Sequence, residues 1–228
     1  MSARVGVVAF PGACDEQDAL RAVDRVAGLD AHFLPHVERD LRGADAIVLP
    51  GGFSYGDYLR AGAIARFAPV MEAVIEFARG GGPVLGICNG FQILCEARLL
   101  PGALLVNEQL KFTCRQVLVR VESTDTVFTS ACEGGEKLSM PVKHTSGRWF
   151  APPDLLAHVE GAGQIALRYA DGTNPNGSLA DVAGVANERG NVFGLMPHCE
   201  HAVDELTGST DGLHLFGSLA RHLSAVAA

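Results

Sequence analysis

The chain has 228 residues, 48% of them hydrophobic, and a formal net charge of −8. That length and apolar content support one sizeable core, so residues 1–228 are read as a single domain. The acid excess argues against a nucleic-acid partner, which needs a basic face, and no apolar run approaches the roughly 18 residues of a membrane span.

Val5 to Phe10 is an apolar run that ends in Pro11-Gly12 and reads as a first strand. It is too short for a signal-peptide core and lacks a small-residue cleavage site, so a cytoplasmic location is expected. The six cysteines, at 14, 88, 95, 114, 132 and 199, show no CxxC spacing and are expected as free thiols. Asp15 can cap a helix from Glu16 to about Val26, stopped at Gly28. Ala31 to Leu34 is a short second strand. Ala46 to Leu49 is a third, ending in Pro50-Gly51-Gly52-Phe53. Adjacent glycines let backbone N–H groups face a bound group, one way to build an oxyanion hole, although glycine pairs also make plain turns. Ala63 to Arg79 carries Ile64, Phe67, Val70, Met71, Val74, Ile75 and Ala78 at helical spacing and predicts a helix that Gly80-Gly81-Gly82 ends.

Pro83-Val84-Leu85 is a further strand, and Phe91 to Ala97 suits a helix. Between them stands Gly86-Ile87-Cys88-Asn89-Gly90. This is the strand–turn–helix pattern of a nucleophile elbow, with cysteine in place of serine. The following helix directs free N–H groups and a positive dipole end at the sulfur, which favours thiolate. The N–H of Asn89 would be a second oxyanion donor. The plain alternative is a buried structural cysteine.

The second half differs. Gln116 to Glu122 alternates, and Ile165–Tyr169 and Val182–Ala186 suit antiparallel or mixed strands, with a hairpin loop at Asn187 to Asn191. Val192 to Met196 is a buried strand followed by Pro197-His198-Cys199-Glu200-His201, and Gly212 to Ala227 predicts a closing helix. A strand end is where an α/β fold places working side chains. His198 is a candidate base for the thiol, and Glu200 a candidate to orient it. Such partners meet in space and not in sequence, so their contact with Cys88 stays open here. Residues 198–201 are all metal-ligand types, but consecutive residues do not easily converge on one ion, and no CxxC or HExxH accompanies them. No metal is expected. No G-x-x-x-x-G-K-[ST] loop and no Rossmann fingerprint occurs, so no ATP site of that type is visible. Repeated βα units imply an α/β, doubly wound, mostly parallel sheet covered on both faces.

The assembled residues resemble the class I (triad) glutamine amidotransferases. Their G-x-C-x-G-x-Q elbow is matched by Gly86, Cys88, Gly90 and Gln92, their Gly-rich loop by Pro50-Gly51-Gly52, and their late H-x-E by His198 and Glu200. Within the family, Phe53 to Gly62 and several shorter segments are most similar to the glutaminase subunits of multi-subunit phosphoribosylformylglycinamidine synthases. The chain departs from the usual pattern at Cys199 and His201, where Pro and Arg are customary. It departs again at Lys143-His144-Thr145-Ser146, where Ala-His-Gly-Glu is customary.

The resemblance implies a flavodoxin-like mixed sheet and a triad of Cys88, His198 and Glu200. It places oxyanion and glutamine-binding roles at Gly51, Gly52, Phe53, Asn89 and Gln92. L-glutamine would be hydrolysed through a cysteine thioester. The ammonia would pass to a large synthetase subunit that uses ATP and Mg to convert formylglycinamide ribonucleotide to formylglycinamidine ribonucleotide in purine biosynthesis. A small third subunit would bridge the two, and this chain itself would carry no cofactor. The alternatives are a glutaminase serving GMP, CTP or anthranilate synthesis, a redox sensor or chaperone with an elbow cysteine, and a cysteine protease or esterase.

Overall fold

The computed structural model describes residues 2–226. The early apolar runs become β1 (Ala3–Ala9), β2 (Leu29–Pro35), β3 (Ala46–Leu49) and β4 (Val84–Ile87). Helices α1 (Glu16–Asp24), α2 (Pro69–Arg79) and α3 (Asn89–Glu96) lie between and after them. The remainder comprises β5 (Ala103–Leu105), β6 (Thr113–Val121), β7 (Lys137–His144), β8 (Arg148–Phe150), α4 (Pro153–Gly161), β9 (Ile165–Tyr169), β10 (Val182–Ala186), β11 (Val192–Leu195) and α5 (Leu213–Val226). The expected end of the last helix at Ala227 lies outside the described residues.

One expected helix is shorter than its apolar spacing suggested. The run over residues 63–79 becomes helix only from Pro69. A proline disfavours helical backbone in the residue before it, and Ala68 is extended, with φ −62° and ψ 143°. Pro69 then takes the first helical position, where a missing N–H costs nothing. Ala65–Phe67 make a separate 3₁₀ turn.

Nine strands form one sheet in the order β2-β1-β3-β4-β11-β10-β9-β6-β7, and β5 and β8 form a small second one. The first five of these nine are parallel, in the doubly wound flavodoxin-like order, and the last four extend the sheet antiparallel. Every residue of β3, β4, β10 and β11 is buried, as strands covered on both faces must be. Helix α1 packs on β1, β2 and α5, while α3 packs on β3, β4, β11 and β5.

Register aligns the parts that matter for function. Leu49 pairs with Gly86, and Ile87 with Leu195. The carboxyl ends of β3, β4 and β11 therefore lie side by side, and the Gly-rich loop, Cys88 and His198 all leave from that one edge. The antiparallel extension curls back over the same edge: the His198 N–H donates to the Pro141 carbonyl of β7 at 2.8 Å.

Candidate active site

The elbow forms because its two glycines leave room for the backbone packed against them. A Cβ on Gly90 would run into the Leu49 carbonyl of β3, and one on Gly86 would lie 2.7 Å from the Gly90 backbone. Helix α3 can therefore start hard against the sheet. Cys88 takes the bend at φ 49°, ψ −101°, a left-handed value rare for residues with a side chain. Its N–H continues the sheet by donating to Leu195 O at 2.8 Å, and no side chain caps the helix that it opens. The thiol is buried beside the start of that helix.

His198 follows β11, the neighbour of the elbow strand, and is almost wholly buried. Its Nδ1 lies 2.5 Å from Glu200 Oε1, which a 3₁₀ turn at Cys199–His201 folds back beneath the ring. Nε2 has no hydrogen-bond partner among the described residues. Burial disfavours charge on the ring. The Glu200 carboxylate and the adjacent Cys88 sulfur more than offset this and raise its pKa to about 10. The structure thus brings Cys88, His198 and Glu200 together from residues more than a hundred positions apart.

The Gly-rich loop crosses this edge. Gly52, at φ 134°, bridges Ala13 so closely that a Cβ would lie 2.5 Å from the Cys14 amide. The Phe53 N–H is taken by the Gly12 carbonyl at 2.9 Å and the Ser54 N–H by Asn89 Oδ1 at 3.1 Å. Gly51 has a further reason to lack a side chain: a Cβ there would strike Asp15 Oδ2 and sit 2.7 Å from His198 Cε1. Asn89 and Gln92 are buried and linked. The Asn89 amide donates to Gln92 Oε1 at 2.8 Å and to Asp57 at 3.1 Å, and the Gln92 amide donates to the Ser146 carbonyl. Gly52, Phe53, Cys88, Gln92, Lys143 and Ser146 line a cavity of about 20 Å³, room for one water at most.

Several site residues were not visible in the sequence. Asp15, expected as a helix cap, makes no side-chain cap bond. Its carboxylate turns instead to Lys143 Nζ at 2.5 Å, to His201 Nε2 at 3.3 Å and to His198 Nδ1 at 3.6 Å. Lys143, His201 and His198 hold it below the usual carboxylate range although its burial pushes the other way. The expectation that residues 198–201 do not converge is also corrected. The 3₁₀ turn gathers His198, Glu200 and His201 with Asp15 so that their ligand atoms lie within 4.8 Å of one another. The Lys143 ammonium is lodged there, 3.4 Å from His201. Two positions at which the chain departs from the family pattern, 143 and 201, therefore meet at Asp15. His144 is buried between Asn107 and Asn176, and burial, with the His198 charge, lowers its pKa to about 4. Asp57, largely through burial, is raised to about 6.

Residues 2–213 match the CobB/CobQ-like glutamine amidotransferase domain. The chain belongs to that family. The amidotransferase is 59% identical to phosphoribosylformylglycinamidine synthase subunit PurQ of Rubrobacter xylanophilus, over 95% of this chain and 97% of the relative. It is 54% identical to subunit PurQ of Thermus thermophilus, over 97% and 99%. Among solved structures it resembles a chain of PurLQS from Thermotoga maritima, with TM-score 0.89 and 43% identity, over 98% of this chain and 100% of that one. A glutamine amidotransferase of Thermotoga maritima, at 17% identity and TM-score 0.59, shares the fold. No helix among the described residues of the amidotransferase is long and apolar enough to cross a membrane.

Proposed function

We propose that this amidotransferase is the glutaminase subunit of a phosphoribosylformylglycinamidine synthase. The observation that carries the reading is the meeting of the Cys88 elbow with a His198–Glu200 pair on one sheet edge, in a chain so similar to PurQ subunits. The Cys88 thiolate attacks the carboxamide carbon of L-glutamine. The amides of Gly52 and Asn89 receive the oxyanion; those of Phe53 and Ser54 are already engaged within the fold. The His198 imidazolium gives its proton to the departing nitrogen as the C–N bond breaks, releasing ammonia and leaving a thioester. Neutral His198 then takes a proton from water. The hydroxide adds, the C–S bond breaks, and glutamate leaves with the thiolate–imidazolium pair restored. Glu200 stabilises the charged ring throughout.

The chain needs no cofactor or metal in this reading; the cation at the Asp15 cluster is Lys143. ATP and Mg belong to the large synthetase subunit, which uses the ammonia to convert formylglycinamide ribonucleotide to formylglycinamidine ribonucleotide. A cytoplasmic location goes with that role.

The cavity at Cys88 is too small for glutamine, so the Gln92–Ser146 clasp and the Gly-rich loop must part before substrate enters. Tyr55, Asp57 and Leu59 in that loop hold left-handed backbone, which stores about 1–3 kcal/mol each. Phe53, Tyr58, Leu59 and Phe67 expose apolar side chains on and beside it, and Leu110 and Phe112 are exposed too, with Phe112 and Phe53 lining one cleft. A partner that covers this rim has the means to open the site.

Reconstitution with the large and small subunits tests the reading. The chain should confer glutamine-dependent amination, and Cys88→Ser should abolish it while ammonia-dependent amination persists. Loss of both, or of neither, would overturn the assignment.

A further inference from the structure

Behind the imidazole lies a second layer of charge that the triad chemistry does not use. Asp15 stands just before α1, and its side chain is 3% exposed. One of its oxygens is bound by Lys143 at 2.5 Å. The other, Oδ2, has no hydrogen-bond partner among the described residues and faces His198 Nδ1 at 3.6 Å, the nitrogen already bound by Glu200. Contact on that side is kept tight by Gly51, since any Cβ there would enter the gap between Asp15 and the ring. An ion pair with a buried carboxylate is a poor source of stability, because desolvating that carboxylate cancels most of the attraction. Its placement against the reacting histidine therefore calls for another reason.

We propose that Asp15 and Lys143 form a positioning pair for His198, in which the carboxylate steadies the imidazolium and the ammonium limits how strongly it does so. The inference rests on the glutaminase reading above. Two carboxylates, Asp15 and Glu200, would bind a proton on His198 too firmly for it to be returned in the hydrolytic half of the reaction. Lys143 removes that excess by neutralising Asp15. The other charged or titratable groups around the ring are His201 on the 3₁₀ turn, His144 on β7 and the Cys88 sulfur, while Asp18 on α1 reaches only His201, at 3.7 Å.

The pair makes a signature that a merely structural role would not. Asp15→Asn removes an anion and leaves the ammonium, so the proton on His198 is held less firmly. The alkaline limb of kcat/KM should move down by about one pH unit, with KM changed less than about twofold. Lys143→Met removes the cation and leaves the anion, so the limb should move up by a similar amount. Asp15→Asn/Lys143→Met should return it close to wild type, as coupled neighbours do in a double-mutant cycle. The measurement is glutamate release by each variant in the reconstituted complex across the alkaline range, with melting curves run alongside.

Shifts of the same sign in both single variants, or no shift in either, would overturn the proposal. So would a double variant no better than the worse single one. Should Lys143→Met not fold, Lys143→Gln replaces it, and the downward shift in Asp15→Asn is decisive by itself. Persistence of glutaminase activity in Cys88→Ser would instead reject the underlying reading, so the two failures are distinguishable.

Discussion

Glu200→Gln isolates the electrostatic part of the triad, because the amide keeps the size of the carboxylate and discards its charge. Glu200 is fully buried, and its Oε1 lies 2.5 Å from His198 Nδ1, so water does little to screen the pair. Burial lowers the proton affinity of the ring; Glu200 is the largest influence raising it and, with Cys88, brings it from 6.5 to about 10. Removing one partner of a buried, hydrogen-bonded charge pair costs about 3 kcal/mol, so loss of the Glu200 charge should slow acylation by roughly two decades. The loss should fall on kcat, since Glu200 is buried behind His198 and does not line the cavity at Cys88. Steady-state glutamate release by the reconstituted complex measures it, with ammonia-dependent amination as the control for assembly. A kcat within about threefold of wild type, or a raised KM with kcat intact, would refute the reasoning.

Three further outcomes are expected. A glutamine-mimicking diazo-ketone should label Cys88 ahead of Cys95, Cys132 and Cys199, whose thiols burial and nearby carboxylates push upward, and peptide mapping would show the site. Isolated chain should hydrolyse glutamine weakly, and activity should rise at least about tenfold, or 1.4 kcal/mol, with both partner subunits and nucleotide present; full activity in isolation would reject the closed-cavity argument. His144 is held neutral with a pKa lowered to about 4 from 6.5, so the unfolded chain binds a proton there that the folded chain refuses. Its contribution is complete above pH 6.5, falls as pH drops towards 4 and then levels off. Denaturant unfolding between those limits should show a flatter pH slope in His144→Gln than in wild type.

The legible parts of this protein were those whose physics is local. β3, β9 and β10 fall where their apolar runs predicted them, and the turn at Asn187 to Asn191 joins β10 to β11 as a hairpin. The elbow was readable because Gly86, Cys88 and Gly90 are neighbours in sequence. β7 was hidden by Pro141, a residue that argues against a strand although Leu138, Met140 and Val142 alternate. Asp15 looked like a helix cap because that is what an aspartate before a helix does when nothing else claims it. The claimant, Lys143, lies 128 residues downstream, and no local pattern announces such a meeting.

The pairing of β4 with β11 also sets when the protein becomes reactive. Val84 to Gly86 can pair with β3 early, but the other edge of the elbow strand waits for Val192 to Leu195, and His198 and Glu200 lie beyond those. During synthesis the elbow emerges from the ribosome more than a hundred residues before its base, so for most of translation Cys88 is a thiol without a proton acceptor. Glutamine chemistry switches on only with roughly the last seventh of the chain, when a nearly complete subunit exists to receive a partner. An order of strands in a sheet is thereby also an order of events in time.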